Sequence, residues 1–293
     1  MGRWLFAHSA VLYWGLPVGL SLLLGIWEGF RPHRVRALSR ADRWLTHGFL
    51  TSLTDAITIL VFRIGGVAVA FAVSGSAYGV LNHASLPFPI EVLVTFLLLD
   101  LFQYGNHYLR HSIPLIWRFH QVHHSDGDVD FSTGFRFHPG EVLLTQAGYL
   151  LVIAALAPAP LAVLCYELLN IAQALFSHAN LRLLPGIERA LGLVLVTPEF
   201  HRIHHSVDVA EQRCNLGVLF SFWDRLFHTY RASPQAGEDR LQLGVDEVAA
   251  AESVRPLTML ALPFIRRTPR HGSSVRNSHR TGTLLGQGSS DIE

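Results

Sequence analysis

The chain has 293 residues, of which half are hydrophobic and only 15% are charged, and its mean hydropathy is +0.31. Soluble domains carry about 25% charged residues, so this composition is typical of an integral membrane protein. A formal net charge of +1 provides no basic field and argues against a nucleic-acid partner. Because the sequence holds only two cysteines, Cys165 and Cys214, a disulfide framework and a Cys-x-x-Cys zinc site are excluded.

Apolar segments long enough to cross a bilayer recur along the chain. Residues Trp4–Trp27 hold no charged side chain and exceed the roughly 20 residues that a spanning helix needs. A second span is predicted from about Ala56 to Val80, and a third begins in the apolar run Ile90–Leu101. The stretch Val142–Ser177 is long enough for two short spans, and Ala157–Pro160 divides it in the middle. This pattern predicts a helical hairpin.

The loop at residues 31–43 carries five arginines. Cytoplasmic loops are enriched in Lys and Arg, so this loop is predicted to be cytoplasmic and the N-terminus to lie outside. Counting spans from there places all the histidine clusters and the C-terminus on the cytoplasmic face. The expected membrane is the cytoplasmic membrane of a bacterium or the endoplasmic reticulum of a eukaryote.

Histidines are clustered at helical spacing in two parts of the sequence. His107 and His111 are four residues apart, and the pattern H-x-x-H-H occurs twice. The full set is His107, His111, His120, His123, His124, His201, His204 and His205. On a helix, H-x-x-H-H gathers three imidazoles within an arc of roughly 100°. A lone histidine on an apolar face is usually a hydrogen-bonded core residue, but the repeated pattern favours a site for two transition-metal ions.

A polar stripe follows the second half of the predicted hairpin. Glu167, Asn170 and His178 fall on one side of a helical wheel, and polar residues at membrane depth usually face a bundle interior or a site. His178 is therefore predicted to be a further metal ligand rather than an ordinary interfacial histidine.

The last part of the chain changes in character. Thr197, followed by Pro198, predicts the start of the helix that carries the last histidine cluster. The aromatic-rich stretch Leu216–Tyr230 is typical of an interfacial helix. Residues 231–266 are expected to form a cytosolic or interfacial segment, and the Ser-, Gly- and Arg-rich residues 267–293 a disordered tail.

The stretches WRFHQVHHSD, FRFHPGE, SHANL, TPEFHRIHHS and FWDRLFHTY resemble the fatty acid hydroxylase / sterol desaturase superfamily of membrane-bound histidine-box enzymes. The similar region covers most of residues 95–230. The chain departs from the family at His228, where many relatives have glycine, and at Cys214–Gly217, where asparagine-tyrosine-glycine is more usual.

The resemblance implies an all-α integral membrane protein with four to five membrane helices, including a hairpin, and a cytosolic helical cap that carries the histidine boxes. Residues 1–230 would form the membrane-embedded catalytic domain. It also implies two iron ions and the hydroxylation or desaturation of a lipid with O2. No G-x-G-x-x-G follows a strand, so the two electrons are expected from a separate reductase, ferredoxin or cytochrome.

Carried over by position, the eight clustered histidines match the box ligands, and His178 matches a further histidine after the family's hairpin. His138, in the F-H-P-G-E segment, and Asp100 are predicted to orient ligands without binding the metal.

Two other kinds of protein were weighed against the oxygenase. A membrane cytochrome would pair histidines across membrane helices, whereas these cluster at one face. A metal transporter or store would carry ligands along a path at mid-membrane, where Glu167 and Asn170 alone approach the requirement. The lipid stays open among fatty acyl chains, sterols, carotenoids and ether lipids.

Overall fold

The computed structural model describes residues 2–267, and these residues form helices and loops without a β-strand. The α-helices are α1 (Gly2–Ala7), α2 (Ser9–Phe30), α3 (Arg40–Phe62), α4 (Gly66–Val73), α5 (Phe88–Ser112), α6 (Pro114–His124), α7 (Pro139–Leu156), α8 (Pro160–His178), α9 (Pro185–Leu191), α10 (Pro198–His204), α11 (Val209–Gln212), α12 (Phe222–Leu226), α13 (Ala250–Ser253) and α14 (Pro256–Ala261). Apart from Arg267, the tail that we expected to be disordered lies outside the described residues.

Five helical segments are long and apolar enough to cross a membrane: α2, α3 with α4, α5, α7 and α8. This confirms the predicted multi-pass, all-α architecture. The hairpin of α7 and α8 is also confirmed. Ala157 ends α7 in the left-handed conformation with φ of 49°, and Pro160 starts α8, where its missing N–H is harmless.

The second span has different bounds from the predicted 56–80. Helix α3 already begins at Arg40, where Ser39 Oγ accepts a hydrogen bond from Asp42 N. It ends at Arg63, which adopts the left-handed conformation with φ of 57°. The next helix, α4, starts at Gly66. Only glycine allows the backbone to come this close to α8, because a Cβ at this position would overlap with Glu167 Oε1.

The predicted interfacial helix at Leu216–Tyr230 is wrong, since only Phe222–Leu226 is helical. The Asp224 carboxylate accepts hydrogen bonds from Leu216 N (2.6 Å), Gly217 N (2.7 Å) and Thr229 Oγ1 (2.6 Å), and these bonds fold the segment into a loop. His228 has φ of 60°, which glycine adopts without strain.

Helix ends meet on two sides of the bundle. On one side, Glu28 Oε1 accepts from Phe131 N (3.0 Å) and Asn180 N (2.9 Å), and the short helices α6 and α9–α14 form a cap. Thr197 caps α10 as predicted, with its Oγ1 accepting from Phe200 N. On the far side, Glu91 Oε1 accepts from Ala159 N at 2.8 Å. All the predicted site histidines lie at the cap side.

A buried ion pair network ties α3 to the loop between α6 and α7. Arg43 is fully buried and contacts Asp126 Oδ2 at 2.7 Å and Asp130 Oδ2 at 2.5 Å. Burial alone would raise the pKa of Asp126, but the Arg43 guanidinium lowers it well below its ordinary value. His47 contacts Asp126 at 3.4 Å and Ser132 Oγ at 2.9 Å. The network therefore fixes the loop that follows His123 and His124.

We expect Arg43→Ala to destabilise the folded protein by about 3–5 kcal/mol, because it removes the buried cation shared by two buried carboxylates and leaves only Arg36, 3.6 Å from Asp130, nearby. Thermal unfolding of the purified protein in detergent would measure the change, with the exposed Arg182→Ala as the matched control. An Arg43→Ala protein that melts with the wild type would contradict the structural role of this network.

Candidate metal centre

Nine buried histidines converge between the membrane helices and the cap, and they divide into two groups. The first group is His107, His111, His120, His124 and His204, and the second is His123, His178, His201 and His205. Within each group, one nitrogen per residue lies within 4.8 Å of the others. The structure therefore brings together all the predicted ligands, including His178. Their binding of metal stays a prediction.

The two groups do not correspond to the clusters seen in the sequence. His123 and His124 are neighbours on α6 but point into different groups, because adjacent helical positions are rotated by about 100°. His204 and His205 divide in the same way at the end of α10. The rings of His124 and His205 stack with centroids 4.5 Å apart, so the groups are adjacent.

Oxygen atoms fix the orientation of five of these imidazoles. In each case Nδ1 lies at hydrogen-bond distance from an acceptor: His107 from Leu216 O (2.8 Å), His120 from Glu141 Oε1 (2.9 Å), His123 from Arg136 O (3.2 Å), His178 from Ala174 O (2.7 Å) and His204 from Cys214 O (2.9 Å). Carbonyl and carboxylate oxygens only accept, so Nδ1 carries the proton. The lone pair of Nε2 then points into the group, as in histidines that bind metals.

Nitrogen atoms inside the groups lack other partners. The Nε2 atoms of His111, His120, His124 and His204 are buried without a hydrogen bond. In the second group, Nε2 of His178 lies 3.0 Å from that of His201, 3.1 Å from that of His123 and 3.2 Å from that of His205. Lone pairs that face one another without a proton between them are unfavourable unless a cation binds them. The donor set therefore fits two transition-metal ions.

Burial also keeps the cap histidines neutral. It lowers the pKa of His204 to about 3 and the pKa values of His120, His123, His124, His201 and His205 well below the ordinary value, with neighbouring histidines adding to the shift in the latter five. A neutral imidazole retains the lone pair that a metal needs. These rings therefore keep their lone pairs at physiological pH.

Glu141 is a functional residue that the sequence reasoning missed. Its Oε1 accepts from His120 Nδ1 (2.9 Å) and from Arg110 Nη1 (2.9 Å), and Arg110 also donates to Thr145 Oγ1 at 2.6 Å. The side chain is 1% exposed. A carboxylate behind a ligand histidine fixes its tautomer and raises its basicity. Glu141 ends the F-H-P-G-E segment, but nothing in that segment distinguishes it from other acids in the first turn of a helix.

His138 itself is placed differently. It is the N-cap of α7, where its Nδ1 accepts from Gly140 N at 3.0 Å, and its Nε2 lies 3.3 Å from Leu260 O. These contacts involve none of the nine histidines. His138 instead starts the helical turn that presents Glu141, so its predicted influence on the ligands acts through that turn.

Asp100 is fully buried and holds a loop rather than a histidine. It accepts from Leu219 N (3.1 Å), Phe220 N (3.0 Å) and Trp223 Nε1 (2.9 Å). The same loop presents Leu216 O to His107 Nδ1. Asp100 could therefore orient a histidine, as predicted, only indirectly through this loop.

We expect Glu141→Ala to weaken metal binding by about 10–100-fold, the typical loss when the partner behind a ligand is removed. Competition with a chelator would measure the affinity. His138→Ala is the comparison, since loss of an N-cap costs about 1 kcal/mol of stability but touches no ligand. Equal affinities in Glu141→Ala and wild type would exclude the proposed role of Glu141.

Comparison with known proteins agrees with this geometry. Residues 92–229 match the family model described as Fatty acid hydroxylase. An ornithine lipid hydroxylase of Rhizobium tropici is 29% identical over 89% of this chain and 79% of its own length. An alkylglycerol monooxygenase of Caenorhabditis elegans is 27% identical over 65% of this chain but 37% of its own length. A cholesterol 25-hydroxylase of Rattus norvegicus is 27% identical over 50% of this chain and 48% of its own length.

The chain thus spans less than half the length of two of these three relatives. No solved structure matches. The matched residues contain the nine histidines together with Glu141, Asp100 and Asp224. The similarity to the fatty acid hydroxylase family thus covers residues 92–229, which include the whole candidate metal centre.

Proposed function

We propose that this protein is a membrane-bound oxygenase that uses two iron ions and O2 to hydroxylate a C–H bond of a lipid. The observation that carries the proposal is the pair of buried histidine groups, in each of which one nitrogen per residue converges on those of the others. Nitrogen-rich sites suit iron among the redox-active metals. The family and the names of its members support lipid oxidation as the reaction.

Bound iron would supply the oxidising power for an unactivated C–H bond, which side chains lack. The overall reaction consumes the lipid, O2, two electrons and two protons, and yields the hydroxylated lipid and water. The relatives are named hydroxylases and monooxygenases, which supports hydroxylation over desaturation. The electrons come from a separate reductase, ferredoxin or cytochrome.

The chain's own residues hold the centre and keep it dry. The nine histidines are at most 7% exposed, so bulk water is excluded from the space between them. Glu141 and the backbone oxygens of Leu216, Cys214 and Arg136 hold four of the rings with Nε2 inward. Such preorganisation keeps the ligands in place when the oxidation state of the metal changes.

The substrate is a lipid with an aliphatic C–H bond within reach of the centre. The names of the relatives mention an ornithine lipid, an alkylglycerol and a cholesterol. These molecules differ in their polar groups but share saturated hydrocarbon, so we assign the substrate as a membrane lipid oxidised on its hydrocarbon or close to it.

The alternative, a metal carrier or cytochrome without oxygenase activity, has less support. The histidines form two compact groups at one end of the bundle, rather than a path across it. At mid-bundle, Glu167 accepts a hydrogen bond from Tyr13 and packs against Gly66.

We also propose that the cap lies in the cytoplasm. The arginines of residues 31–43 lie at the same end of the bundle as the histidine groups, because Arg43 binds the loop after His124. The positive-inside rule places that end on the cytoplasmic side.

We expect the protein loaded anaerobically with ferrous salt to bind about two iron ions per chain. His204→Ala should lose iron from the five-histidine group and His205→Ala from the four-histidine group, because the neighbours point into different groups. His178→Ala should resemble His205→Ala. Metal analysis with Mössbauer spectroscopy would follow each site, with His83→Ala at the far end of the bundle as the control.

In cells that express the wild type, a lipid should gain one oxygen atom from isotopically heavy O2, detected by mass spectrometry. His204→Ala and His205→Ala should abolish this gain. A haem absorption band in the purified protein, or iron content near zero after loading, would reject the proposal.

Topology can be tested with single cysteines at exposed positions, after Cys165 and Cys214 have been replaced. Val35→Cys, Ser112→Cys and Arg213→Cys should react with an impermeant reagent only when the cytoplasmic face is accessible, and Ser85→Cys only from the other face. Labelling of Ser112→Cys and Arg213→Cys from opposite faces would contradict the shared cap.

A further inference from the structure

Two cavities adjoin within the membrane-spanning part of the protein. An interior cavity of about 620 Å³ lies between α2, α4, α5, α7 and α8. A cleft of about 890 Å³ lies between α2 and α3. Tyr13 and Ile171 line both of them. The cleft and the interior cavity therefore adjoin at these two side chains.

The cleft exists because two consecutive helices pack elsewhere. Helix α2 packs against α8, and α3 packs against α7 and residues 131–135, while α2 and α3 make little contact with each other. Along α2 the cleft extends from Ala10 to Leu22, or about 18 Å at 1.5 Å per residue. Its walls include Trp14, Pro17 and Ile59. A cleft of this size, with mainly apolar walls, suits a hydrocarbon chain.

The two ends of the cleft differ in charge. At the cap end, the guanidinium of Arg40 lies 5.0 Å from the ring centroid of Trp44, which lines the cleft. The Arg40 side chain is 33% exposed and can meet a headgroup. Towards the far end the walls include Ala10 and Ile59, together with Thr58 and the acidic Asp55, and carry no basic residue among those that the structure describes. This polarity matches a lipid whose anionic headgroup lies at the membrane surface and whose chain points inward.

The interior cavity leads towards the histidine groups. Gln103 lines it and stands one helical turn before His107 on α5. Thr145, also in the wall, receives a hydrogen bond from Arg110, the partner of Glu141. Asn170 adds a buried Oδ1 that has no hydrogen-bond partner. A chain that passes Tyr13 and Ile171 thus comes within one helical turn of His107 along α5.

We propose that the cleft between α2 and α3 is the lateral access route and chain-binding site of the lipid substrate. The headgroup rests near Arg40, the chain occupies the cleft, and the chain reaches the centre by passing between Tyr13 and Ile171. This inference rests on the proposed lipid-oxidising function, because it assigns the path of that substrate.

A photoreactive fatty acid with a diazirine in mid-chain tests the cleft directly. With the iron-loaded full chain in liposomes, light should attach it to peptides from residues 10–22 and 47–59. Excess unlabelled fatty acid should suppress this labelling, whereas labelling of the outer face at Leu151 should not saturate. Cleft labelling that does not saturate would overturn the proposal.

Glycines allow a matched pair of variants. A Cβ at Gly48, in the cleft wall, or at Gly19, outside it, would meet nothing within 4 Å. Gly48→Phe should fill the cleft and lower saturable labelling about tenfold, the effect of displacing about two methylene groups. Ser52→Phe, in the same wall, should act alike, and Gly19→Phe should label as the wild type does.

The passage is tested by Ile171→Phe, with the exposed Leu169→Phe on the same helix as control. Ile171→Phe should keep cleft labelling but lose labelling at residues 145–149 and oxygen incorporation into lipid. Iron content, measured for every variant, should stay at the wild-type level.

The outcomes separate the two proposals. Saturable cleft labelling in a wild type that oxidises no lipid would reject the proposed function while leaving the cleft as a lipid site. An active wild type whose Gly48→Phe and Ser52→Phe variants label and turn over normally would reject the cleft alone.

Discussion

The structure depends on one constraint: nine imidazoles are buried together in two groups, and in the five-histidine group four of the Nε2 atoms have no hydrogen-bond partner. A buried nitrogen without a partner is costly, and a cluster of them multiplies that cost. A bound cation removes it. The other residues of the cap keep these rings in place. Without them, each ring would turn towards a closer hydrogen-bond donor.

The rings are held mainly by backbone oxygens of loops. Leu216 O and Cys214 O belong to the segment that Asp224 holds by hydrogen bonds. Burial raises the pKa of Asp224 to about 6. The loop is also held from the membrane side by Asp100 on α5. On the opposite side, Arg43 holds the loop after His124. Two buried acids and one buried arginine thus act on the ligands without touching them.

The membrane helices do more than anchor this cap. Five ligand or ligand-supporting side chains (His107, His111, Arg110, Glu141 and His178) stand at their cap-side ends. Towards mid-membrane the same helices separate and enclose the interior cavity beside Gln103 and Thr145. The histidine groups therefore lie at the boundary between the polar cap and the membrane-spanning helices, which is where the proposed reaction would bring a lipid C–H bond to O2.

The sequence by itself determined the class of the protein. Apolar runs longer than a bilayer requires fix the presence of membrane helices, and histidines repeated at helical spacing indicate the metal site, because both signals are local. The α7–α8 hairpin followed from Ala157–Pro160 for the same reason. The pairing of histidines into groups could not be predicted, since it depends on how four separate helices rotate against one another.

Which residues support the histidines was also decided by the tertiary structure alone. Nothing local distinguishes Glu141 from other acids at helix starts, or Arg43 from its neighbours in the arginine-rich loop, until the chain brings His120 and Asp126 to them. The sequence of Leu216–Tyr230 predicts an interfacial helix, but hydrogen bonds from its own backbone to Asp224 and Asp100 override that preference. Buried polar contacts, those of Asp224 within the stretch and those of Asp100 from α5, outweigh helix propensity, which amounts to at most about 0.7 kcal/mol per ordinary residue.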